Sequence, residues 1–116
     1  MEIMNVRIED VTAKLVGQDN DNFVVKVSLR DEYDSVDWSF RLEDQLDLQR
    51  LIKLMNYTES HQLEDLNGKI IRKVKIGSCL YGFGHPIEDK FISLLAKECK
   101  EINEAEFAKM YEDYDK

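Results

Sequence analysis

Over its first third the chain alternates hydrophobic and polar residues with a period of two. Val6 and Ile8 share one side of an extended segment within 3–16, and Val11, Ala13 and Leu15 form a second alternating set. The phase slips between the two sets, which predicts a bulge or bend near Glu9 and Asp10. "GQDNDN" (17–22) reads as a turn, because Gly, Asp and Asn tolerate positive φ and bond their own backbone. "FVVKVSL" then aligns Phe23, Val25, Val27 and Leu29. "SVDWSFRL" aligns Val36, Trp38, Phe40 and Leu42 inward, with Asp37, Ser39 and Arg41 outward. Alternation this regular, rich in β-branched and aromatic side chains, predicts three antiparallel strands.

The period switches after residue 43. Asp44 is placed to cap a helix with Asp47 in its first turn, and Leu48, Leu51, Ile52 and Met55 recur at i, i+3, i+4, i+7. Arg50 and Lys53 fall toward the later turns, where cations complement the helix dipole. "SHQLEDLNG" predicts a short turn pinned by Leu63 and Leu66 and ended by a left-handed Gly68. In "KIIRKVKIG", Ile70, Arg72, Val74 and Ile76 oppose Ile71, Lys73 and Lys75 on the two faces of a strand. Gly77-Ser78 has hairpin chemistry. Gly82 and Gly84 interrupt the returning strand, as glycine does at a bulge or a close backbone approach. Pro86 predicts an edge position and an extended His85.

Residues 88–102 fit either a helix with a Phe91, Leu94, Leu95, Cys99, Ile102 stripe or a further short strand. Asn103 and Glu106 form a capping box ahead of a Phe107, Met110, Tyr111, Tyr114 face, which predicts a C-terminal helix fraying at "DYDK". The expected fold is therefore one α+β domain over 1–116. It has a mostly antiparallel sheet of about five strands, one helix packed on it and a second helix at the end.

Composition supports a packed domain. The 116 residues are 43% hydrophobic and 34% charged, which supplies a core beneath a solvated exterior. No apolar run approaches the roughly 20 residues that cross a bilayer. The acidic, alternating start "MEIMNVRIED" lacks the pattern of a secretory signal. Two cysteines, Cys79 and Cys99, fit unpaired thiols in a reducing cytoplasm better than a lone bridge.

Charge adds the main functional clue. The net charge is −8, and residues 31–47 carry seven acids against one arginine. Residues 101–116 carry six acids and two lysines, whereas 48–76 carry six basic and three acidic side chains. A chain this acidic repels phosphate, so nucleic acid is not its expected direct ligand. Its natural counterparts are basic surfaces, including those that hold nucleic acid.

Catalytic and metal-binding patterns are weak by comparison. Cys79 and His85, with Asp89 beyond, contain the residue types of a thiol–imidazole pair. Six residues along one strand, however, separate them by roughly 20 Å at ~3.3 Å per residue. Neither His61 nor His85 has metal-site spacing, and "GQDNDN" lacks the rest of a calcium loop. "GFG" is not a phosphate-binding loop. Phe23, Tyr33, Trp38 and Phe40 could form a base-stacking platform, but their alternation with aliphatics favours core packing. No catalytic residue, metal or cofactor is expected.

The candidate site is instead an acidic surface: Asp31, Glu32, Asp34, Asp37, Glu43, Asp44 and Asp47, extended by Glu112 and Asp113. Carboxylates on a rigid strand, turn and helix start can imitate the charge of duplex DNA, about one per 1.7 Å of axis. The alternative is a solvated face on a structural or assembly protein.

"LEDLNGKIIRKVKIG" leading into "GFGHPIEDKF" resembles small proteins of phages and mobile elements from Gram-positive bacteria, a population that includes anti-CRISPR proteins. The resemblance implies a non-catalytic inhibitor in the host cytoplasm. Its partner would be a host protein with a basic nucleic-acid-binding groove, such as a CRISPR effector nuclease, with no role for a membrane.

Overall fold

The computed structural model describes residues 1–32, 34–77 and 79–114, with Tyr114 described by its backbone alone. Tyr33, Ser78 and the "DK" of the expected C-terminal fraying lie outside the described residues. The strands are β1 (Glu2–Val16), β2 (Asn22–Arg30), β3 (Ser35–Arg41), β4 (Ile70–Ile76), β5 (Cys79–Gly84), β6 (Phe91–Ser93) and β7 (Glu101–Ile102). The helices are α1 (Gln45–Tyr57) and α2 (Glu104–Tyr114), with a 3₁₀ turn at Leu63–Leu66. One sheet runs in the order β3-β2-β1-β4-β5-β6-β7, and neighbouring strands pair antiparallel. The fold is thus α+β, but with seven strands among the described residues rather than about five.

β1 belongs to two staggered ladders. Its residues from Arg7 to Val16 pair with β2, whereas Glu2 to Arg7 pair with β4. The register shifts between Ile8 and Asp10, where the phase of the pattern slips, so the expected bulge is present. The sheet also curls strongly. Trp38 on β3 and Phe83 on β5 have ring centroids 5.0 Å apart, although three strands separate theirs. A flat sheet would hold those strands ~19 Å apart at ~4.8 Å per step.

The hollow of the curl is the main core. Val6, Ile8, Val25, Val27, Leu29, Phe40 and Ile71 line it, and Leu51, Leu54 and Tyr57 of α1 fill it. On the opposite face of β4, Val74 joins Phe91, Ile102 and Phe107 in a second cluster beneath α2. The two helices therefore cover opposite faces. Gly82 and Gly84 make the second packing possible. A Cβ on Gly82 would lie 2.5 Å from Cε2 of Phe107 and 2.6 Å from the carbonyl of Ile92. One on Gly84 would collide with the Phe91 ring.

One open alternative is resolved and two expectations need correcting. Of the two readings of 88–102, the strand holds and the helix does not: the segment carries two very short strands, β6 and β7. Phe91, Ile92 and Ser93 are buried on both faces, so no alternation betrays the strand. The inward stripe of α1 is rotated: Leu54 and Tyr57 are buried beside Leu51, while Leu48 and Ile52 are exposed. The curl brings residues 94–101 against the other flank, where Arg50 donates to the carbonyls of Leu94 and Ala96. Arg50 thus serves a tertiary contact, and no basic residue occupies the last turn of α1. Finally, Pro86 does not follow an edge strand, because β5 pairs with both β4 and β6.

Candidate functional site: the acidic rim of the sheet

The acids of 31–47 surround β3, which forms one edge of the sheet. At its start, the β2–β3 turn is locked by carboxylates. Asp34 donates its N–H to Asp31 Oδ1 at 2.8 Å, and Ser35 donates to Asp34 Oδ1 at 2.8 Å. Asp31 also reaches inward to Lys73 Nζ at 3.2 Å, with the two side chains only 8% and 3% exposed. Asp31 therefore holds the turn to β4 and presents little charge outward. Glu32 and Asp34 remain exposed beside a cleft of about 430 Å³ lined also by Arg30 and Ser35.

Midway along β3, Asp37 points to solvent on the face opposite the main core. The Ser28 hydroxyl donates to it at 2.7 Å and Lys26 approaches to 3.6 Å. The Ser28 hydrogen bond, followed by the Lys26 charge, holds its carboxyl below the usual range. At the far end Asp44 caps α1, accepting from the N–H groups of Leu46 and Asp47 at 2.9 and 3.2 Å. Asp47 accepts from the Arg41 N–H at 3.1 Å and pairs with Arg50 at 3.6 Å. Glu43 is exposed and has no ion pair among the described residues.

The acids are thus divided by role. Glu32, Asp34, Asp37 and Glu43 face outward along the β3 edge, while Asp31, Asp44 and Asp47 mainly hold structure together. Glu112 and Asp113 ride on α2, which covers the same face of the sheet that Asp37 points from but packs at its β6 end, five strand steps from β3. Asp113 lines a separate cleft of about 470 Å³ between α2 and the β6–β7 segment. The nine acids do not make one contour.

Sequence reasoning missed the cations that the fold sets against these acids: Lys26 at Asp37, Arg50 at Asp47 and Lys73 beneath Asp31. Arg30 pairs instead with Glu9 on β1, at 3.2 Å. Lys73 left a visible signal, since it shares a strand face with Ile71 and so required a buried partner.

The reactive residues around β5 are also assigned. Cys79 and His85 stand at opposite ends of the strand. His85 Nδ1 accepts from the N–H groups of Ile87 and Glu88 at 3.1 and 3.0 Å, fixing the turn before β6. Asp89 Oδ1 accepts from the Glu104 N–H at 2.8 Å, capping α2. Both thiols are free, and burial pushes that of Cys99 up. Among the described residues no three His, Cys, Asp or Glu side chains converge to hold a metal, and no helix is long and apolar enough to cross a membrane. Compared with protein-family models, curated proteins and solved structures, the chain finds no match.

Proposed function

We propose that the protein is a non-catalytic inhibitor that offers the acidic β3 rim to the basic groove of a nucleic-acid-handling host protein, of the CRISPR effector nuclease type. The single observation behind this reading is the row Glu32, Asp34, Asp37 and Glu43. These exposed carboxylates are carried on the turn, strand and connection of one sheet edge. The β2–β3 turn is braced by Asp31 and the α1 start by Asp44, so the ordering cost on binding falls mainly on the exposed side chains and less on the backbone that carries them. Its attraction would be long-ranged and weakened by salt.

The test is binding of a purified, nucleic-acid-free effector nuclease by the wild type and by a Glu32→Lys, Asp37→Lys, Glu43→Lys variant. Salt-sensitive capture that the variant loses, with unchanged thermal unfolding, supports the rim. Undiminished capture by the variant removes it. A Glu112→Lys, Asp113→Lys variant asks whether the α2 acids carry binding instead. No capture by the wild type leaves the second reading, an assembly protein with a solvated acidic face.

A further inference from the structure

We propose that β1 is a self-association edge, at which residues 11–15 of two copies pair antiparallel about a two-fold axis through Ala13. Among the described residues, the upper half of β1 has a ladder partner on one side only. Residues from Asp10 to Val16 pair with β2, whereas the β4 ladder stops at Arg7. On that second side Ile8 is still satisfied, donating to the Lys69 carbonyl at 2.9 Å and accepting from the Gly68 N–H at 2.6 Å. Past Ile8, no described residue pairs with that side of the strand.

The direction of the free backbone groups follows from β2. Leu42 donates its N–H to the Phe23 carbonyl, so the Phe23 backbone faces β3. Its cross-strand neighbour Leu15 therefore turns its own N–H and C=O away from β2, and alternation carries Ala13 and Val11 with it. Three residues thus present unused donors and acceptors along one open edge. Beside them, Leu15 and Phe23 sit opposite each other at 57% and 40% exposure, continuing the apolar face of Val25 and Val27 beyond the cover of α1.

The partner is argued from the pattern of the edge itself. A lysine on an exposed edge ordinarily blocks strand addition. Here a two-fold rotation through Ala13 places Val11 opposite Leu15 of the second copy. It also sets Asp10 on the diagonal from Lys14, within reach of a long side chain. The edge is therefore complementary to itself in hydrogen bonding, in apolar contact and in charge. The rotation closes, so it joins two copies and leaves no further edge of this kind. This inference does not depend on the acidic rim having a cationic partner.

Sedimentation of the full chain over a concentration series tests it. The wild type is expected to approach twice the chain mass. Asp10→Lys and Lys14→Asp, each at an exposed position, should shift the equilibrium to monomer with unchanged thermal unfolding. The double exchange in one chain should restore the dimer, and mixing the two single variants should give a heterodimer. A wild type that stays monomeric at every concentration, or a dimer indifferent to both single changes, overturns the proposal.

Discussion

Asp31 and Lys73 lie 42 residues apart in sequence and 3.2 Å apart in space, with both side chains almost wholly enclosed. The pair ties the turn between β2 and β3 to the middle of β4, across β1. Removing Lys73 takes away the cation that faces a largely enclosed carboxylate. Lys73→Met is therefore expected to cost about 3–5 kcal/mol in denaturant unfolding. Lys73→Met with Asp31→Asn should recover much of it, because the amide keeps the bond to the Asp34 N–H without the charge. Equal stability of the single and double variants would show that the ion pair is not what the site needs.

Gly82 sits where the Phe107 ring meets the backbone of β5. Gly82→Ala should destabilise by about 1–3 kcal/mol, the usual range for overpacking. Phe107→Leu in the same chain should recover only part, since the Ile92 carbonyl crowds the new methyl equally and cannot move without breaking the sheet. Full recovery in thermal unfolding would place the whole conflict on the ring.

Tyr57 reports on pH. Burial first, and then its 2.8 Å hydrogen bond to Glu101, push the phenol well above its ordinary range. The folded state therefore holds that proton more tightly than the unfolded chain. The resulting stability is complete below about pH 10 and is lost as pH rises beyond it. Unfolding free energy should fall above about pH 10 in the wild type, and Tyr57→Phe should flatten that decline. An unchanged alkaline slope in the variant would assign it to other groups.

His85 acts as a cap. Its Nδ1 accepts two backbone N–H groups of the Pro86–Asp89 turn, and its ring meets Tyr57 edge-on at 5.6 Å. His85→Ala should cost about 1 kcal/mol, the worth of a typical hydrogen bond. His85→Asn, which offers an acceptor of similar reach, should cost less. The two are compared by urea unfolding, and identical losses would point to the ring contact rather than the bonds.

Local chemistry in the sequence determined the first three strands, the bulge beside Glu9, the Asp44 cap and the capping box at Asn103 and Glu106. Each depends on residues close in the chain, through side-chain alternation or a hydrogen bond spanning a few positions. The close approach at Gly82 and Gly84 was legible too, though not which rings made it. Tertiary structure alone decided the rest. The curl that brings Trp38 to Phe83 rotated α1 away from its apparent stripe, because long-range contacts with residues 94–101 outweighed the periodicity of Leu48 and Ile52. It also folded Lys73 beneath Asp31, while the β2–β3 register set Lys26 beside Asp37. A run of acids in sequence became a rim in which some carboxylates support the frame and others face the solvent. Charge adds along a chain, but its field depends on which cations the fold sets beside it.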